Sequence, residues 1–362
     1  MPDEKPLNVA LLAVPEVTAS ALFGMFDLFS SPGCDFAFVT QGVAGVQRMS
    51  PTIVARNKDG FSAANGIWVR PDHDFGSCPR PDVVCIPDFF ANPGDSVAGQ
   101  YEPEAQWLKR THKGGAMLAS ACSGAVLLGE AGLLDGRDAT IHWGYVATLT
   151  NNYPGVRVKP NQSLVLSGEA QRIIMAGGGT SWQDLALYII ARFVGLKEAI
   201  DVARVYMLQW HDLGQQPFSA LMGFRQTGDA TINKCQEWVA RNYTDPSPVA
   251  ALTAIAGLPE RSFMRRFKAA TGLTPMEYVH AVRLEEAKQL LETTDRAIEA
   301  IANDVGYQDT SFFTRLFRRR VGLTPGQYRL RFGALRRALS TSQSRPSIHR
   351  FDQAIPDDLL AS

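Results

Sequence analysis

The chain is poor in cysteine, balanced in charge and free of long apolar runs. Its five cysteines, Cys34, Cys78, Cys85, Cys122 and Cys235, lie irregularly along 362 residues and form no Cys-x-x-Cys pair. This argues against a disulfide framework and a cysteine-bound metal and fits a reducing compartment. Lys plus Arg and Asp plus Glu are equal at 36 each, so the chain as a whole is neither polybasic nor acidic. No uncharged apolar stretch reaches the roughly 18 residues that a membrane helix needs. The opening Met1-Pro2-Asp3-Glu4-Lys5-Pro6 has neither the basic start nor the apolar middle of a secretion signal. A cytoplasmic protein without a membrane partner is expected. What is present, 45% apolar and 20% charged residues, is ordinary globular composition, long enough for two or three domains with their own cores.

One stretch near the C-terminus occurs twice at a spacing of 50 residues. Phe263, Phe267, Gly272-Leu273-Thr274-Pro275 and Tyr278 recur as Phe313, Phe317, Gly322-Leu323-Thr324-Pro325 and Tyr328. Two copies at this spacing indicate a supersecondary unit used twice, each a helix-turn-helix. In the first copy the pattern predicts helices over Val249–Ile255 and Pro259–Thr271, and in the second over Ile298–Asn303 and Asp309–Val321. The phenylalanines, four apart, share an inward face. The outward faces carry Arg261, Met264, Arg265 and Lys268 in one copy and Ser311, Thr314, Arg315 and Arg318 in the other. Such side chains on an open helix face can enter a major groove and meet base edges. Residues 247–340 hold 15 basic and 9 acidic residues, so this segment is basic and the remainder of the chain is acidic by the same amount.

This segment, from about Cys235 to Phe332, resembles the AraC-type DNA-binding domain. Arg283-Leu284-Glu285-Glu286-Ala287-Lys288-Gln289-Leu290-Leu291-Glu292 is similar to the helix that connects the family's two helix-turn-helix units. The resemblance implies double-stranded DNA as partner, read at two adjacent major-groove segments.

The first two hundred residues alternate short apolar runs with helical patterns. Strands are expected at Leu7–Val14, Asp35–Thr40, Asp82–Pro87, Ala116–Ala121 and Arg172–Ala176. Helices are expected at Thr18–Phe29, Gln106–Thr111, Ser123–Ala131, Ser181–Phe193 and Gly195–His211. This alternation predicts a buried parallel sheet covered on both faces, with ligands beyond the C-terminal strand ends. Cys122 stands at one such end, where Ala121, Ser123 and Gly124 permit a sharp strand-to-helix turn of the nucleophile-elbow kind. A helix N-terminus there is expected to lower the thiol pKa. Taken alone, Cys122 and His142 read more readily as a buried structural cysteine and a hydrogen-bonded core histidine than as a reactive pair. His73 and Asp74 lack partners for a metal and read as a solvated loop.

Ala121-Cys122-Ser123-Gly124-Ala125-Val126-Leu127-Leu128-Gly129-Glu130, Ala139-Thr140-Ile141-His142-Trp143 and Gly177-Gly178-Gly179-Thr180-Ser181-Trp182-Gln183-Asp184 resemble the ThiJ/PfpI group, within the class I glutamine-amidotransferase-like fold. With the C-terminal match, the whole chain is similar to GlxA-family transcriptional regulators. The expected fold class is α/β, a three-layer, flavodoxin-like parallel-sheet domain followed by an all-α domain with two helix-turn-helix units. The expected limits are 1–211 for the sensing domain, 212–230 for a linker, 231–335 for the DNA-binding domain and 336–362 for a flexible tail. The resemblance implies a ligand pocket at Cys122, Ser123 and His142, bounded by Ala21 and Asp88. Ala21 falls where the group's enzymes carry a carboxylate, and Pro87-Asp88-Phe89 replaces a Gly-Gly that supplies oxyanion donors. A binding pocket is therefore expected rather than a catalytic one, with no metal or cofactor. The resemblance further implies a homodimer, activation through RNA polymerase and a nitrogenous metabolite as effector. Two other readings stand beside it, a Cys-dependent hydrolase or hydratase and a redox sensor acting through Cys122.

Overall fold

Leu7–Leu12 forms the first strand, β1, whose last four residues are buried. The computed structural model describes residues 5–93, 95–220, 227–334 and 336–337. After β1 come α1 (Ala19–Ser30), α2 (Asp35–Gln41), β2 (Met49–Ala55), a small hairpin of β3 (Phe61–Ser62) and β4 (Trp68–Val69), β5 (His73–Asp74) and β6 (Val83–Ile86). They are followed by α3 (Glu102–Lys113), β7 (Met117–Ala121), a 3-10 turn at Cys122–Gly124, α4 (Ala125–Glu130), β8 (Asp138–Ala139), α5 (Val146–Asn152) and β9 (Arg157–Val158). β10 (Leu164–Ser167), β11 (Ile173–Ala176), α6 (Ser181–Phe193) and α7 (Leu196–Val205) complete this part. The chain divides into two units, Met1–Gly223 and Phe224–Ser362.

The first unit is built on a seven-stranded sheet of order β10-β11-β7-β6-β1-β2-β5. Every neighbouring pair is parallel except β10 with β11. The apolar strands are buried, as a sheet covered by helices requires. From β1 the chain crosses outward to β2, and from β6 it crosses the other way to β7. Right-handed crossovers in opposite directions place their helices on opposite faces. α1 packs with α6, and α3 packs with α4, giving the three layers. The strand order reverses between β1 and β6, and a crevice opens there beyond the C-terminal strand ends.

Three local expectations are overturned, the first being that His73 and Asp74, read as a loop, form the edge strand β5 beside β2. Asp35–Thr40, expected as a strand, is the helix α2, closed by Gly42 in the left-handed conformation. The second strand is Met49–Ala55, which contains Pro51. Proline is tolerated because β5 pairs only with Val54 and Ala55, leaving Pro51 on an open edge where no donor is needed. The helix expected over Gly195–His211 ends at Val205, and Met207 takes a positive φ of 52° that redirects the chain.

Among its described residues the second unit is entirely helical. Its elements are α8 (Ala230–Asn242), α9 (Pro248–Ala256), α10 (Glu260–Thr271), α11 (Pro275–Thr293), α12 (Ile298–Asp304), α13 (Thr310–Val321) and α14 (Pro325–Phe332). The sequence repeat is a structural repeat. Gly272 and Gly322 end α10 and α13 at φ 77° and 85°, conformations that favour glycine. Thr274 with Glu277 and Thr324 with Gln327 then form equivalent capping boxes with proline at the first helical position. Each unit carries the same aromatic chain: Phe263–Phe267–Tyr278 with centroids 5.6 and 5.4 Å apart, and Phe313–Phe317–Tyr328 at 5.7 and 5.5 Å.

Arg283, in the long helix α11, ties the unit together. Only 5% exposed, it donates from Nε to Tyr243 O at 2.6 Å, from Nη1 to Gly306 O at 2.9 Å and from Nη2 to Asp245 O at 2.8 Å. Its guanidinium lies 5.2 Å from the Tyr307 ring centroid. One side chain thus fixes the end of α8 and the turn between α12 and α13 to the connecting helix. Gly306, at φ 88°, leaves no room for a Cβ between Arg283 and the backbone of Thr244. Described residues contain no helix long and apolar enough to cross a membrane. The expected tail lies, beyond residue 337, outside the described residues.

Candidate functional site

Cys122 sits at the C-terminal end of β7 with φ 54°, the left-handed conformation of a strained elbow. Its amide donates to Gly177 O at 2.9 Å, joining the elbow to the glycine turn before α6. Gly124 is required here, because a Cβ would meet the carbonyls of Ile86 and Pro87. Ser123, 1% exposed, donates to Phe89 O at 2.6 Å and accepts from Phe89 N at 2.9 Å. The elbow is thereby clamped to the loop after β6. On that loop Asp88 accepts from Thr18 Oγ1 at 2.5 Å, while Thr18 N donates to Asp88 O at 2.9 Å. An isolated bridge between Val17 and Phe89 closes the same crevice.

The expected lowering of the Cys122 thiol pKa is reversed. Burial, and then the nearby Asp88 carboxylate, push it up to about 12, against smaller opposing contributions from hydrogen bonds given by Ser123 and the Gly179 amide. The one-turn helix start offers less than burial removes. Asp88 is itself raised by burial. The carboxylate beside the thiol therefore comes from the loop after β6. Ala21 is buried on α1 at 1% exposure and brings only a methyl group. Glu16 lies in a different cleft, hydrogen-bonded to Tyr101 and near the Arg56–Glu104 ion pair.

At about 12, the Cys122 thiolate at pH 8 is about a thousandfold scarcer than that of an unperturbed cysteine. Iodoacetamide labelling, followed by peptide mass, is expected to be slow at pH 8 and to accelerate with pH up to that range. Labelling at the rate of free cysteine would contradict the buried, Asp88-flanked thiol.

His142 does not join Cys122. Its Nδ1 accepts from Gly144 N at 3.0 Å, which leaves the proton on Nε2 and the ring neutral. Burial also lowers its pKa. The ring lies against Gly178, where any Cβ would collide with it, and is tilted against Trp143 with centroids 4.9 Å apart. It opens into a cleft of about 270 Å³ that Gly178, Gly179 and Thr180 of the glycine turn also line.

The opposite wall of this cleft holds His211 and Gln215, which the sequence did not single out, backed by Asp184 of the glycine-turn stretch. His211 Nδ1 is 2.8 Å from Asp184 Oδ2, and Asp184 is 1% exposed on the first turn of α6. Burial raises the Asp184 pKa, opposed by the charge and hydrogen bonds of His211. His211 Nε2 is 3.3 Å from Thr180 Oγ1. Gln215, 4% exposed, anchors the floor. Its Oε1 accepts from Gly178 N at 2.8 Å and Trp143 N at 3.3 Å, and its Nε2 donates to Ile141 O at 2.9 Å and Gln162 O at 3.1 Å. Residues 212–219, expected within a linker, are instead built into the first unit. Nothing in the spacing of Asp184 and His211, 27 residues apart, announces that they meet.

In the second unit, Arg261, Arg265 and Lys268 are exposed on α10, and Ser311, Arg315 and Arg318 are exposed on α13; Met264 and Thr314 are half-buried on the same faces. Arg266 is held by Asp229 through a bond of 2.6 Å. The two helices start differently. Asp309 caps α13 by accepting from Ser311 N at 2.8 Å and Phe312 N at 3.0 Å, whereas α10 follows Pro259 with no side-chain cap.

Comparisons with known proteins agree with both halves. Residues 8–192 match the DJ-1/PfpI family and residues 252–331 match a helix-turn-helix domain. The HTH-type transcriptional regulator CdhR of Pseudomonas aeruginosa is 29% identical over 294 residues, covering 81% of this chain and 84% of that one. GlxA of Rhizobium meliloti, also an HTH-type transcriptional regulator, is 28% identical over 63% of this chain and 69% of its own. Isonitrile hydratase of Pseudomonas putida is 27% identical over 59% of this chain and 82% of its own. The chain belongs to the DJ-1/PfpI family and joins that fold to an AraC-type helix-turn-helix domain.

Proposed function

We propose that this protein is a sequence-specific, cytoplasmic transcriptional regulator that binds an operator as a homodimer and activates transcription with RNA polymerase. A small nitrogenous metabolite, bound at the rim formed by Cys122, Ser123 and Asp88, shifts the population between DNA-competent and DNA-incompetent states. The observation that carries the reading is the pair of equivalent helices, α10 and α13, each with an apolar face buried and a polar, mostly cationic face open. In this reading the exposed Arg265 and Arg315 read base edges, and Lys268 and Arg318 contact phosphates. Likeness to curated regulators over most of their length supports the same conclusion.

The first unit acts in this reading by binding rather than turnover. A thiol held up to about 12 is a poor nucleophile at neutral pH, and Asp88 is already engaged by Thr18. The same burial weighs against redox sensing by Cys122.

The test uses operators selected from a random DNA pool by the full-length protein. Arg315→Ala is expected to weaken binding to the selected sequence by about 1–3 kcal/mol and to relax base choice at one position. Equal loss on selected and unrelated DNA would assign Arg315 to the phosphate backbone and remove the base-reading role.

A further inference from the structure

We infer that the cleft between His142 and His211 is a binding site for a small carboxylate. The inference deepens the metabolite-responsive reading above and rests on it for its regulatory meaning.

The donors converge and the acceptors are spent. His142 carries its proton on Nε2, because Nδ1 is occupied by Gly144 N, and Nε2 has no hydrogen-bond partner among the described residues. Thr180 precedes α6 at the N-cap position, yet its hydroxyl does not cap the helix; it turns to His211 Nε2. His211 is oriented by Asp184, both of whose oxygens it engages, Oδ2 through Nδ1 and Oδ1 through its own amide at 3.3 Å. A ligand cation therefore finds no free carboxylate here. A ligand carboxylate finds the His142 N–H and the side chain of Thr180, which is held by the His211 ring that a buried aspartate orients in turn. The positive end of α6 adds to this attraction. Trp143 and Phe218 supply apolar walls for the body of the ligand.

The wall is also informative in the order of the chain. His211, Gln215 and Phe218 belong to the segment that runs toward Phe224, where the second unit begins. A ligand here touches this segment of the first unit, so occupancy and the conformation of residues 211–218 are linked through direct contact.

The test measures thermal melting of the full-length protein with benzoate, its neutral analogue benzamide and choline. Benzoate is expected to raise the melting temperature saturably, while benzamide and choline do not. Thr180→Val and His211→Asn are expected to weaken the apparent benzoate affinity at least tenfold. Thr180→Val removes one hydroxyl and should leave unliganded melting unchanged, which separates site loss from misfolding. No benzoate shift in the wild-type protein, an equal shift with benzamide or choline, or an undiminished shift in both variants would each overturn the carboxylate site. Operator affinity in the same samples separates the two proposals. A benzoate shift lost in the variants, with operator affinity indifferent to benzoate, upholds the site and removes its regulatory role. An operator response to a non-carboxylate metabolite that survives Thr180→Val upholds the regulator and removes this site.

Discussion

Arg283→Met is expected to abolish high-affinity operator binding while leaving the helices formed. The side chain is nearly buried and satisfies three backbone carbonyls from separate segments, Tyr243, Asp245 and Gly306. Methionine restores the apolar volume but none of the donors. Carbonyls left without partners cost on the order of 1–3 kcal/mol each where water cannot reach them. Part of this is offset, because the buried charge disappears and burial already lowers the Arg283 pKa. A net loss of about 3 kcal/mol is expected in urea unfolding. The larger effect falls on DNA. With the α12–α13 turn released from α11, the two recognition helices lose their fixed spacing, and a site that needs both should bind at least a hundredfold more weakly. Weak binding to unrelated DNA at low salt should persist, because the surface arginines remain. Arg283→Lys should recover little, since one ammonium cannot reach three diverging carbonyls. Operator affinity within threefold of wild type in Arg283→Met would show that the spacing is set elsewhere.

Gln215→Leu is expected to loosen the rim of the first unit. The substitution keeps the size of the side chain and removes an amide that bonds Trp143 N, Gly178 N, Ile141 O and Gln162 O. Gly177 has no side chain, and the Gln215 amide occupies the space that a Cβ would take. Leucine there buries two donors and at least two acceptors without partners, at a total cost on the order of 3–5 kcal/mol. Hydrogen exchange followed by mass spectrometry should show faster exchange in peptides spanning 140–145 and 176–181. Peptides spanning 298–321 should be unchanged. Unchanged protection at Gly178 would mean that the glycine turn holds its shape without Gln215.

Much of this architecture could be read from sequence because its causes are local or repetitive. The paired helices follow from aromatic residues four apart, glycine at the helix ends and proline after threonine, all written twice. The Cys122 elbow follows from a run of small residues after an apolar strand. What sequence reading missed depends on distant parts of the chain. Asp35-Phe36-Ala37-Phe38-Val39-Thr40 has strand-forming residues but lies outside the sheet, whereas Met49–Ala55 carries a proline and lies within it. Strand propensity is largely a statement about neighbours, and these are supplied by β1. The raised Cys122 pKa depends on burial and on Asp88, neither visible in the elbow motif. The Asp184–His211 pair exists because the chain folds back after Val205, a turn with no glycine or proline at Met207 to mark it.

The unequal starts of α10 and α13 give the bound protein a direction. In α13 the Asp309 carboxylate occupies the amides of Ser311 and Phe312, so these donors are closed to a phosphate. The start of α10 has no such plug, and its closing turn is less basic than that of α13, which ends with Arg318, Arg319 and Arg320. The two halves of the repeat share a scaffold but are chemically distinct readers. A protomer turned end for end on its site would bring the wrong reader to each half. Its footprint therefore has a head and a tail, and the orientation of an operator carries information of its own, separate from its base composition.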